Sequence, residues 1–118
     1  MLESWENKFS IAIAKDKRII ESARSLRAEV FRNLSGVSDP ENDAYDECCE
    51  HLVVIDKEKD KAVGTYRLLL GSRVKKIGFH AEKIFEMENI KKIKGEILEL
   101  GRSCVHKDYR RNLIINLL

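Results

Sequence analysis

At 118 residues the chain has room for one hydrophobic core and one domain. Its 22 Lys and Arg nearly balance 20 Asp and Glu, which argues against a nucleic-acid-binding protein governed by a basic field. Three cysteines, with Cys48 and Cys49 adjacent, make no disulfide framework and point to a reducing, cytoplasmic compartment.

The first residues carry Glu3 and Glu6 and only a brief apolar run, unlike a signal peptide, and no stretch is long enough to span a bilayer. Phe9, Ile11 and Ile13 alternate with smaller residues, which predicts a strand up to Ala14. Asp16 is placed to cap a helix from Lys17 to Leu34, whose apolar positions include Ile19, Ala23, Leu26, Val30, Phe31 and Leu34. Ser35-Gly36 ends that helix, and Ser38 to Glu50 reads as an acidic loop or short helix. His51 to Asp56 and Ala62 to Gly71 form the strands of a hairpin around the polar turn Lys57 to Lys61. Arg73 to Lys94 is charged and irregular, with a short helix expected from Ala81 to Glu88. Glu96 to Val105 reads as a further strand, and Leu113 to Leu118 as a helix that has only begun. This order describes an α/β (α+β) layer fold.

Four charges interrupt these apolar patterns. Arg27 falls inside the apolar arc of the helix, and Arg67 sits in the middle of Gly64-Thr-Tyr-Arg-Leu-Leu-Leu70. Glu99 and Arg102 lie in the last strand with Gly101 between them. A buried charge without a partner costs several kcal/mol or more, so four such residues imply a polar network lining a site. Glu99 and Arg102 are three apart and would face opposite sides of a regular strand. A bulge at Gly101 is expected to bring them to one face.

Other features have plainer readings. The acidic run Asp39, Glu41, Asp43, Asp46, Glu47 and Glu50 matches a solvated face as well as a site. Vicinal Cys48 and Cys49 beside His51 lack the usual metal-ligand spacing, so no metal is expected. Cys104, in an apolar strand, reads as packing and not as a nucleophile.

Five segments occur in order: Ser25-Leu-Arg-Ala-Glu-Val-Phe31, Asp43-Ala-Tyr-Asp-Glu-Cys-Cys-Glu-His-Leu52, Gly64-Thr-Tyr-Arg-Leu-Leu69, Gly78-Phe-His-Ala-Glu82 and Glu99-Leu-Gly-Arg-Ser-Cys-Val-His106. From about Ile19 onward the chain resembles the ornithine-lipid N-acyltransferases, a hemolysin-like branch of the GNAT superfamily. The same positions also resemble acyl-homoserine-lactone synthases.

The resemblance implies the N-terminal portion of a GNAT-like fold, with a mixed sheet of about four strands and flanking helices. It implies transfer of a fatty acyl group, commonly 3-hydroxyacyl, from the thioester of acyl carrier protein to the α-amine of ornithine. By motif position it points to Arg27, Phe31, Asp43, Asp46, Arg67, Phe79, Glu99 and Arg102. Glu99 is then the base or the group orienting it, and the backbone from Arg102 to Cys104 supplies the oxyanion donor. Asp43 and Asp46 would hold the cationic side of the substrate. Arg27, Arg67 and Arg102 would order the acids or bind its carboxylate, with Phe31 and Phe79 as further substrate contacts.

Arg110-Arg-Asn-Leu-Ile-Ile115 has no glycine where members that use coenzyme A have a pyrophosphate-binding turn, which favours a carrier-protein donor and no further cofactor. Basic residues including Arg73, Lys75, Lys76, Lys91, Lys92 and Lys94 offer that acidic carrier a surface. The sequence stops before the fold's fifth strand, so a fragment with an open sheet edge prone to self-association is also expected, its activity in question. Peripheral membrane contact stays open. The alternatives are a homoserine-lactone synthase, disfavoured by Val37 where those proteins carry tryptophan, and a non-catalytic binding module.

Overall fold

The computed structural model describes residues 7–35 and 44–110. Four strands, β1 (Phe9–Ile13), β2 (Glu50–Asp56), β3 (Lys61–Leu70) and β4 (Leu98–Val105), form one sheet in the order β1-β2-β3-β4. All three pairings are antiparallel. The four expected strands are present, but among the described residues the sheet is antiparallel, not mixed. The reason is where each connection re-enters. Ile13 pairs with Leu52 and Phe9 with Asp56, so the chain returns beside the end of β1 and runs back along it.

The helix α1 (Lys17–Ser35) contains neither glycine nor proline, and it packs Ile19, Ala23, Leu26 and Val30 against Val53, Ala62 and Cys104 of the sheet. Cys104 is thus a packing residue. Asp16 starts the helix as expected, its carboxylate accepting the Arg18 N–H at 2.8 Å. Asp16→Ala should lower stability by about 1 kcal/mol, read as a shift in the urea midpoint without a change in slope. The opposite face of the sheet gathers Phe9, Val54, Val63, Val105 and Tyr109 into a second cluster. No helix among the described residues is long and apolar enough to cross a membrane.

Between β3 and β4 the expected helix from Ala81 to Glu88 is replaced by two shorter pieces. These are a 3-10 turn at His80–Lys83 and a single-turn helix α2 (Glu88–Lys91). Gly78, with φ +76°, turns the chain into the first of them. The expected helix from Leu113 lies outside the described residues.

The bulge in β4 falls one residue later than expected. Thr65 pairs with Cys104 and Arg67 with Gly101, which leaves Tyr66 alone opposite both Arg102 and Ser103. Arg102, not Gly101, takes the left-handed backbone conformation, with φ +54°. Gly101 stays in the ladder, and a β-carbon built on it would meet nothing within 4 Å.

Candidate active site

Residues paired across strands share a face of the sheet. His51, Arg67 and Gly101 therefore make one row on the α1 side, with Leu69 and Glu99 in the next. The bulge adds Arg102 to that side. The result is a pocket of about 230 Å³ lined by residues that include Phe31, Arg67, His80, Glu99, Arg102 and Ser103. Arg102 stacks its guanidinium 5.4 Å from the centre of the Phe31 ring, a cation–π contact that joins α1 to β4.

Behind the pocket is an ion network centred on Asp46, whose side chain is fully buried. Arg27 grips it with two parallel hydrogen bonds, Nη1 to Oδ1 at 2.8 Å and Nη2 to Oδ2 at 2.6 Å. Arg67 Nη1 reaches Oδ1 at 3.3 Å. Both arginines are 2% exposed. Burial works to raise the Asp46 pKa, but the hydrogen bonds and positive charges of Arg27 and Arg67 outweigh it and hold the group below its ordinary value. Asp46 therefore faces two guanidinium groups and not an open substrate surface. Arg27 holds this acid in place, and Arg67 spans from the network to the pocket wall.

The same acid lies in the one cluster of metal-ligand type found among the described residues, with Cys49 and His51, whose ligand atoms are within 4.8 Å of one another. Two guanidinium groups already hold this carboxylate, and their positive charge opposes a cation beside it. Burial first, and Asp46 next, push the Cys49 thiol up to about 12, so it stays protonated. Burial also lowers the His51 pKa, leaving a neutral ring whose Nε2 lies 3.6 Å from Cys49 Sγ.

Glu99 has a different environment. Its Oε1 accepts the backbone N–H of His80 at 2.7 Å, and its Oε2 that of Ala81 at 2.9 Å. The preceding N–H, on Phe79, donates to the Glu82 carboxylate. Three successive amides thus point at carboxylates, and the Gly-Phe-His-Ala-Glu segment is fastened to β4 through Glu99. His80 is thereby held on the pocket wall. Its pKa is lowered by burial first and then by the positive charges of Arg102 and Arg67, so its ring is neutral near pH 7. Tyr45 backs this arrangement, with its ring 5.3 Å from that of His80 and 5.3 Å from the Arg67 guanidinium.

Of the residues singled out in the sequence, Phe31, Arg67, Glu99 and Arg102 meet at the pocket, and Arg27 and Asp46 stand behind it. Phe79 is buried with Tyr45, Leu69 and Val74, and it borders a neighbouring hollow of about 410 Å³ instead. Asp43 lies outside the described residues. His80 and Tyr45 were missed, although both sit inside quoted motifs. A lone aromatic in an acidic run and a histidine in an irregular segment carry no periodic signal that marks them.

Residues 26–118 match the acetyltransferase (GNAT) domain family model. The chain is 34% identical over 116 residues to an L-ornithine N(alpha)-acyltransferase of Rhodobacter capsulatus, covering 86% of this chain and 45% of that protein. Proteins of the same name from Brucella abortus and Agrobacterium fabrum are 31% and 34% identical, over 92% and 90% of this chain and 44% and 42% of their own lengths. The chain thus spans under half the length of these curated relatives. No solved structure matches it significantly.

Proposed function

The chain belongs to the acetyltransferase (GNAT) domain family, and on that premise we propose that it carries the pocket of an ornithine N-acyltransferase. The donor is a fatty acyl thioester of acyl carrier protein, and the acceptor is the α-amine of ornithine. The convergence of Phe31, Arg67, His80, Glu99 and Arg102 beside the β4 bulge supports this reading most directly. The names of the relatives supply the acceptor.

In the proposed reaction the neutral amine attacks the thioester carbonyl carbon. A tetrahedral oxyanion forms on a now cationic nitrogen's adduct, the carbon–sulfur bond breaks, and the carrier's thiolate leaves and takes up the proton that the nitrogen sheds as it becomes the amide. An amine arriving as ammonium must first lose a proton, and neutral His80 is the titratable group on the pocket wall able to take it, directly or through one water. Glu99 acts on that ring as a positioning residue, because both its oxygens are committed to the His80 and Ala81 amides. The bulge at Arg102–Ser103 interrupts the β4 ladder, and a backbone N–H there donates to the oxyanion. The Arg102 guanidinium binds the ornithine carboxylate. No further cofactor enters this scheme.

The test is incubation of the purified chain with a 3-hydroxyacyl carrier-protein thioester and ornithine, with the product read by mass. N-acylornithine is the expected product. A folded chain that neither forms it nor binds either substrate by calorimetry would overturn the reading.

A further inference from the structure

The excursion between β3 and β4 presents a surface that the pocket chemistry leaves unused. Ile84 is 72% exposed, Phe85 66% and Ile93 62%, with Ile90 at 44%. Four bulky apolar side chains standing this far into solvent within one short excursion mark an interaction site. From Arg73 to Lys94 the chain holds seven Lys or Arg against three Glu, and all seven basic side chains are exposed. Two of those glutamates, Glu82 and Glu88, lie 2.9 and 3.9 Å from Lys91. The Lys91–Glu82 pair also ties the His80–Lys83 turn to α2, so the apolar residues between and beyond them belong to one unit.

We infer that this excursion docks on a bilayer rich in anionic lipid. Ile84, Phe85 and Ile93 enter the boundary between head groups and acyl chains, while Lys75, Lys76, Lys92 and Lys94 remain at head-group level and draw the surface in. An acidic soluble protein would satisfy the same lysines. The three most exposed apolar side chains favour hydrocarbon, because a protein partner would need a matching cavity for each. The inference stands apart from the acyl-transfer reading, since it requires no substrate.

The experiment is flotation of the purified chain with phosphatidylcholine vesicles, either pure or containing about one-third phosphatidylglycerol. Partitioning should be about tenfold stronger onto the anionic vesicles. I84S/F85S should weaken it by about tenfold, and K75E/K76E should do the same. K15E/K17E, a charge change of equal size at exposed positions by the start of α1, should leave it within about twofold. All the substituted side chains are exposed, and unchanged thermal midpoints would show that the variants fold. Absence of binding to anionic vesicles would overturn the inference. So would binding that I84S/F85S leaves intact, because that behaviour marks a polyanion surface of the kind an acidic protein uses.

Discussion

Asp46→Ala is expected to destabilise the domain by about 3–5 kcal/mol, the usual consequence of removing one partner from a buried ionic cluster. The attraction between Asp46 and its arginines is only part of this. The substitution removes a carboxylate that Arg27 and Arg67, each 2% exposed, both hold, and leaves those buried donors short of an acceptor. Against a total stability of about 5–15 kcal/mol for a domain, such a loss leaves much of the chain unfolded at 37 °C. Urea unfolding at pH 7 measures it directly. Asp46→Asn keeps the shape and one acceptor oxygen but removes the charge, so it should fall between the native chain and the alanine variant. The pH dependence has a definite sign. The folded-state pKa of Asp46 lies below its ordinary value of 3.8. Its contribution is therefore complete above that ordinary value and disappears as the pH falls through the folded value. Native and Asp46→Ala stabilities should consequently converge in acid and separate as the pH rises. Replacing Arg27, Asp46 and Arg67 together by apolar residues of similar volume should restore much of the stability. It would also remove a wall of the pocket, so stability without binding would identify the cluster as a positioning device.

That cluster was half legible in the sequence. Arg27 and Arg67 stood out because each breaks an apolar period, and an unpaired guanidinium in a core is improbable on energetic grounds. Their partner did not stand out. Asp46 is one of six acids in a single run, and local pattern gives no means of telling that it turns inward. The same limit applied to Glu99. Its charge in a strand marked it, but its partners are backbone amides 18 and 19 residues earlier, in a segment without periodicity. The bulge was expected at Gly101 because glycine enters the left-handed region at little cost. The structure uses glycine differently. Gly101 leaves open space on the Arg67 row of β4, while Arg102 accepts a backbone conformation that costs of order 1–3 kcal/mol outside glycine. Its side chain gains the stack on Phe31 in return. The irregular stretch from Arg73 to Lys94 was described only by composition, since turns held by carboxylate-to-amide bonds leave no apolar rhythm to read.

Glu99→Gln should lower kcat for acyl transfer by about 100-fold, the scale expected when a reacting group is misplaced by about 1 Å. The glutamine keeps one carbonyl oxygen for the His80 or the Ala81 amide. Its NH2 group then meets the other amide donor to donor, so the turn that carries His80 must shift. Two readouts separate this from loss of a base. First, the KM for the thioester should change by less than about threefold, because Glu99 makes no contact with the donor in the proposed scheme. Second, the rising limb of the pH profile of kcat/KM should survive in Glu99→Gln and disappear in His80→Asn, since that limb reports the group that titrates. If Glu99 were itself the base, the pattern would reverse, with the limb lost in Glu99→Gln and kept in His80→Asn. A structural measurement needs no turnover at all. Hydrogen exchange at the His80 and Ala81 amides should accelerate in Glu99→Gln while the β2–β3 ladder keeps its protection. Unchanged exchange at those two amides would show that the carboxylate does not hold the turn, and its role as a positioning group would have to be abandoned.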